Sequence, residues 1–345
     1  MSNQPYKPII NWLYLGAFLV FLMVIIGGIT RLTNSGLSMS DWRLFAGTFP
    51  PMSKEAWLET FEKYQQTPEF QKLNYRFELD DFKSIFWWEY IHRLIGRIMG
   101  VIFVVPFLYF LLKDKISKQL IPKLLIILFL GAFQAFVGWY MVKSGLVDRP
   151  FVSHYRLAFH LMTALLTFGF IIWTSQDEVH KNDKPHFNSK KGYRNLLISL
   201  MCIAVIQIMY GAFVAGLKGG YLYNTFPKMG DNWIAEAVWV FDPWWKNLVE
   251  NRAGVQLIHR IFGMILLFMA FFTFFKSRKE GLESSRQYFS DIISGVLFVQ
   301  FLFGVFTLLL KVPAWLGVLH QATAFILIFY ILLLLHTFKV HRVSS

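Results

Sequence analysis

Eight stretches of the chain stay apolar for about twenty residues at a time, the length needed to cross hydrocarbon. They fall at 10–29, 86–112, 122–142, 155–174, 194–217, 254–275, 288–310 and 315–336. With 55% hydrophobic residues, so much apolar surface cannot be hidden in a water-soluble core of 345 residues. The expected fold is an all-α integral membrane protein with eight transmembrane helices. The first run is long and lacks a small-residue cleavage site, so it reads as a retained span and not a signal peptide.

The net charge of +13 would fit nucleic acid, but its distribution argues against that partner. Lys113, Lys115 and Lys118, then Lys181, Lys184, Lys190 and Lys191, then Lys276, Arg278 and Lys279 lie in short links between apolar runs. That is the pattern of cytoplasmic loops, and the tail with Lys339 and Arg342 agrees. Both termini are therefore expected in the cytoplasm, with long external segments at 30–85 and 218–253. Within the first, residues 54–63 alternate aromatic and charged positions at helical spacing, as an interfacial helix or a partner-binding element would. The second carries Trp233, Trp239, Trp244 and Trp245, as an aromatic belt or a lid.

Ionisable residues inside such spans are costly and read as functional. The run Trp87-Trp88-Glu89-Tyr90-Ile91-His92-Arg93-Leu94-Ile95-Gly96-Arg97 places four of them at the start of one helix. Glu89, His92 and Arg93 lie within about one turn of each other. A second copy, Gln256-Leu257-Ile258-His259-Arg260, keeps the histidine and arginine and replaces the carboxylate with an amide. Gln134-Ala135-Phe136-Val137-Gly138 matches Gln300-Phe301-Leu302-Phe303-Gly304, and His160-Leu161-Met162-Thr163-Ala164 matches His320-Gln321-Ala322-Thr323-Ala324. Gly27 to Gly36 is echoed more weakly by Gly211 to Gly220. These matches predict two pseudo-repeated four-helix bundles, residues 1–174 and 175–345.

The repeat aligns His92 and His160 with His259 and His320, all near the external face. A single membrane histidine is more often structural; four at matched positions point to ligands. Cys202 is the only cysteine and reads as a buried, inert thiol, so thiolate-held zinc, iron–sulfur clusters and c-type haem are excluded. Two imidazoles on facing helices suit the axial positions of a haem iron. Arg93, Arg97 and Arg260 are then placed for its propionates. Zinc, or iron held by Glu89, His92 and His160, is the competing metal reading, but the second bundle keeps both histidines without the acid. Glu89 marks the first bundle as the place of chemistry, as a proton carrier or as the ion-pair partner of a neighbouring arginine. Arg31, Asn34 and Asp41 form a weaker signal after the first span. His154, His180, His186, His336 and His341 read as solvated.

Gly28-Ile29-Thr30-Arg31-Leu32-Thr33, Phe86 through Arg93, His160-Leu161, Gln256 through Arg260 and Leu319-His320-Gln321 resemble the haem A synthase family over residues 10 to 335. The resemblance implies eight spans in two bundles, haem O as substrate, and oxidation of its C8 methyl to a formyl group through successive hydroxylations. It implies that His92 and His160 flank the substrate, with Glu89 as the essential acid, and that His259 and His320 ligate a haem b cofactor. The implied partners are the haem O synthase (a farnesyltransferase) and oxidase assembly factors, in the cell's inner membrane; the chain is also compatible with a homo-oligomer. Many bacterial members carry a cysteine pair in the first external loop, and this chain has none there. The alternatives are a bis-histidine diheme electron carrier, for which symmetric bundles are expected, and a haem-handling chaperone.

Overall fold

The computed structural model describes residues 6–39, 48–146, 150–182 and 190–339. Asp41, Lys184, His186, His341 and Arg342 lie outside the described residues. Among the described residues the secondary structure is helical and contains no strand. The helices are α1 Lys7–Leu32, α2 Lys54–Gln65, α3 Leu79–Leu112, α4 Ile121–Lys143, α5 His154–Val179, α6 Lys191–Gly216, α7 Lys246–Val249, α8 Arg252–Lys279, α9 Ser284–Leu309 and α10 Ala314–His336. All but α2 and α7 are long and apolar enough to cross a membrane. The fold is thus all-α and multi-pass, as the apolar runs require: hydrocarbon offers peptide groups no partners, so each span must satisfy its own. Phe18, Val101, Phe129, Leu166, Phe268 and Phe275 point outward from these helices, as side chains facing hydrocarbon do. Cys202 is on such an outward face of α6, not buried as expected. An apolar neighbourhood in this chain means lipid as often as protein.

Backbone contacts divide the chain into two compact units, 22–164 and 1–21 with 165–345, whose limits fall inside α1 and α5. In the latter, α6 packs on α8, α8 on α9, α9 on α10 and α10 on α6, closing a four-helix ring. His336, expected to be solvated, is buried there at the end of α10. Its Nε2 lies 2.8 Å from Asp177 Oδ1, and its ring is 5.0 Å from Trp173. The helix end that looked like a tail in the sequence is covered by the end of α5.

In the unit 22–164, α3 starts seven residues before the apolar run at 86. A reciprocal capping box between Glu78 and Asp81 opens it. Its first turns are not a span. Phe82, Ile85, Phe86 and Tyr90 form one aromatic core with Phe61 and Tyr64 of α2, and Tyr64 stacks on Phe82 at 5.1 Å. The Tyr64 hydroxyl donates to Glu69 Oε2 at 3.2 Å and accepts from Asn74 Nδ2 at 2.8 Å. Burial first, and Glu69 second, push its pKa above the usual tyrosine range. The amphipathic stretch expected at 54–63 is therefore a helix docked on the outer end of α3. In the second long segment, Trp233, Trp239, Trp244 and Trp245 are all exposed.

Candidate functional site

Each of the four histidines faces a glycine on the apolar span before its own. A Cβ on Gly27 of α1 would stand 3.2 Å from His92 Nε2, and one on Gly138 of α4 would stand 3.1 Å from His160 Cε1. The same construction gives 3.3 Å from Gly211 of α6 to His259 and 3.0 Å from Gly304 of α9 to His320. Any side chain there would displace the ring. Three glutamines complete the frame: Gln134, Gln207 and Gln300 donate to the backbone carbonyls of His160, His259 and His320 at 3.0, 3.0 and 2.9 Å. Thr163 and Thr323 donate in turn to the carbonyl oxygens of Gln134 and Gln300.

The histidines pair within each unit. The rings of His259 and His320 are 6.2 Å apart between centroids. Two imidazole–metal bonds of about 2 Å each, plus the offset from ring nitrogen to ring centre on both sides, come to roughly the same length. His320 Nδ1 donates to the Gln300 carbonyl at 3.2 Å, which leaves Nε2 as the nitrogen with the free lone pair. His259 Nδ1 is buried and has no hydrogen-bond partner among the described residues. His92 and His160 stand within electrostatic range of each other. No group of three His, Cys, Asp or Glu side chains among the described residues is close enough to hold a metal ion. A bare zinc, wanting three or four protein ligands, is poorly served; a planar group that brings its own equatorial donors, as haem does, fits two opposed imidazoles.

Beside these pairs sit the acid and its amide counterpart. Glu89 is buried; its Oε2 accepts from Ser38 Oγ at 2.7 Å and from the Met39 amide at 2.9 Å, and its Oε1 meets Arg93 Nη2 at 2.5 Å. Arg93 also donates to the Met39 carbonyl at 2.8 Å. Gln256, equally buried, donates to the carbonyls of Gly219 and Tyr223 at 3.0 and 3.1 Å. Arg260 donates to Tyr223, Lys228 and Pro227 carbonyls at 2.9, 3.0 and 3.3 Å. Arg97 is half-buried one turn beyond Arg93. His154 lies against Tyr155. Asn34 adopts the left-handed conformation (φ 51°) that turns the chain after α1.

The model of the cytochrome oxidase assembly protein family (COX15-CtaA) matches residues 10–332. The chain belongs to this family. It is 45% identical to the heme A synthase of Flavobacterium psychrophilum over all of both chains. It is 44% identical to that of Flavobacterium johnsoniae over 98% of each, and 43% to that of Nitrosospira multiformis over 93% of this chain and 90% of the relative. In this member of the cytochrome oxidase assembly family, Glu89 pairs with Arg93 in one unit, and His259 stands by His320 and Arg260 by Gln256 in the other. Sequence reasoning missed Ser38 and Met39, which reach Glu89 from fifty residues away. It also read Gln134–Gly138 and Gln300–Gly304 as marks of a repeat and not as cradles for histidines. The recurrence of a glutamine four residues before three of the four glycines was the available signal.

Proposed function

We propose that this chain is a haem A synthase, a membrane oxidoreductase that converts the C8 methyl of haem O to a formyl group through successive hydroxylations. One observation carries the reading: two histidine pairs share one framework, and among the described residues a carboxylate, Glu89, stands three residues before the first pair's histidine where the second has Gln256. The relatives named heme A synthase support it along the whole chain.

In this reading His92 and His160 flank the substrate haem, with Arg93 and Arg97 on the propionate side. Glu89 is the proton-transferring group within a turn of His92. Arg93, Ser38 and Met39 orient it by three short contacts, so its lone pairs are aimed before any substrate arrives. His259 and His320 would hold haem b, which supplies one-electron transfer when bound. The buried Nε of Arg260 makes no hydrogen bond among the described residues and is the nitrogen left to meet a propionate, while the other two fix the loop. The residues present thus fit the cofactor.

The halves 1–174 and 175–345 are read as repeated four-helix bundles, supported by the four glycine–histidine pairs. The basic links mark the cytoplasmic side of the inner membrane, which puts both termini in the cytoplasm and the histidines toward the outer face. Haem O would come from its farnesyltransferase, and the product would go to oxidase assembly.

The test is extraction and chromatography of haems from protein purified out of cells that make haem O, native against Glu89→Gln. Glutamine has the size of glutamate, and its oxygen can keep the Ser38 and Met39 contacts while the ion pair with Arg93 is lost. Native protein should carry haem b with haem A or oxidised haem O, and the variant haem b with unreacted haem O. Haem b alone, at two per chain in both preparations, would replace this reading with the diheme electron carrier.

A further inference from the structure

Three of the four histidine helices face a Gln-x-x-x-Gly pair: Gln134 with Gly138, Gln207 with Gly211, and Gln300 with Gly304. The two residues stack one turn apart on the same helix face. The glycine admits the ring, and the glutamine grips the histidine's own carbonyl at 2.9–3.0 Å. Helix α1 keeps the glycine, Gly27, but carries Met23 where the glutamine belongs. Met23 occupies the equivalent place in space. Its Cε lies 3.7 Å from where a Cβ on Gly96 would be, as Gln207 Nε2 lies 3.4 Å from that of Gly263. Gly96 and Gly263 each follow their histidine by four residues. A thioether has no proton to donate, and the imidazole of His92 has no hydrogen-bond partner among the described residues.

Outer partners that orient a ligating histidine are commonly worth 10–100-fold in affinity. The second pair has a glutamine behind each histidine; the first has one behind His160 alone. We propose that His92 is the releasable ligand of the first pair: Met23 leaves it unclamped, so His92 lets go while His160 holds, and a haem enters and leaves on the α1 side. This rests on the reading that the first pair holds the substrate. It gives a physical reason for an unequal count of clamps. A cofactor site must retain its haem, and a substrate site must surrender its product.

The experiment uses purified full-length chain loaded with ferric protoporphyrin, with cyanide as the probe of an iron that has lost one imidazole, followed by optical absorbance. Native protein should bind cyanide at one haem and not at the other. Met23→Gln should slow that binding by about tenfold or more. Met23→Leu, equally apolar and without an amide, should behave as native, and Gln207→Met should open the second haem to cyanide. A folded, fully loaded Met23→Gln protein that binds cyanide at the native rate overturns the inference alone. If native protein and His160→Ala load the same number of haems, the first pair holds none, and the synthase reading falls together with the inference.

Discussion

Three residues before the first histidine of each pair, the two halves carry Glu89 and Gln256, and both side chains do the same mechanical task with opposite chemistry. Each is 3% exposed and holds the segment that follows the preceding helix. Glu89 does so by accepting from Ser38 and Met39, Gln256 by donating to Gly219 and Tyr223. A neutral amide is therefore enough to fasten a loop at this place. The carboxylate in the first half, paired with an arginine whose counterpart Arg260 the second half also carries, is retained at the cost of burying a charge, and in the proposed reading that cost marks the proton chemistry.

The most severe way to break the comparison is to remove a ligand. His259→Ala or His320→Ala should abolish haem b in the extracted protein, while His92→Ala should leave it intact, as read from the reduced optical spectrum. Next is the acid: Glu89→Gln should lower turnover of haem O by about 10²–10⁴-fold, the usual weight of a positioned proton carrier, without altering the spectrum of the second haem. A smaller effect separates the loops. Gly254, whose counterpart in the first half is Trp87, passes so close to Asn247 that a Cβ would lie 1.8 Å from its carbonyl oxygen. Gly254→Ala should cost about 3 kcal/mol in a thermal melt in detergent. Trp87→Ala, which removes an exposed ring leaning on Trp57 at 5.9 Å, should cost about 1 kcal/mol.

The smallest substitution, a single oxygen, lies in the aromatic core of α2 and α3. Tyr64→Phe removes two hydrogen bonds under α2 and should destabilise by about 1–2 kcal/mol. Because the folded pKa of Tyr64 is raised, its contribution is complete below the unfolded value near 10 and is lost as the pH climbs above it. The native chain should therefore weaken in alkali more than Tyr64→Phe does, a difference that a pH series of melts would register.

The eight spans, the four histidines and the Glu89–Gln256 contrast were all legible in the sequence, because each rests on local pattern: length of apolar run, or residue type at helical spacing. What was not legible depends on partners far along the chain. Asp80, Asp81 and Lys83 disguise the first turns of α3, since only α2 makes their apolar neighbours a core. His336 and Cys202 were misjudged in opposite directions for one reason. Hydropathy says that a residue leaves water, and it does not say whether protein or lipid receives it. Met23 breaks the glutamine recurrence in the sequence, but its meaning needed the matching places of Met23 beside Gly96 and Gln207 beside Gly263.

The grip of Glu89 on the loop has a consequence for watching the protein at work. The Met39 amide donates to Oε2 of the carboxylate that is proposed to carry protons. Whenever Glu89 turns toward a bound substrate, that amide must let go of it. In that reading deuterium uptake at this one backbone position would rise and fall with occupancy, and the loop after α1 would report whether the acid is engaged.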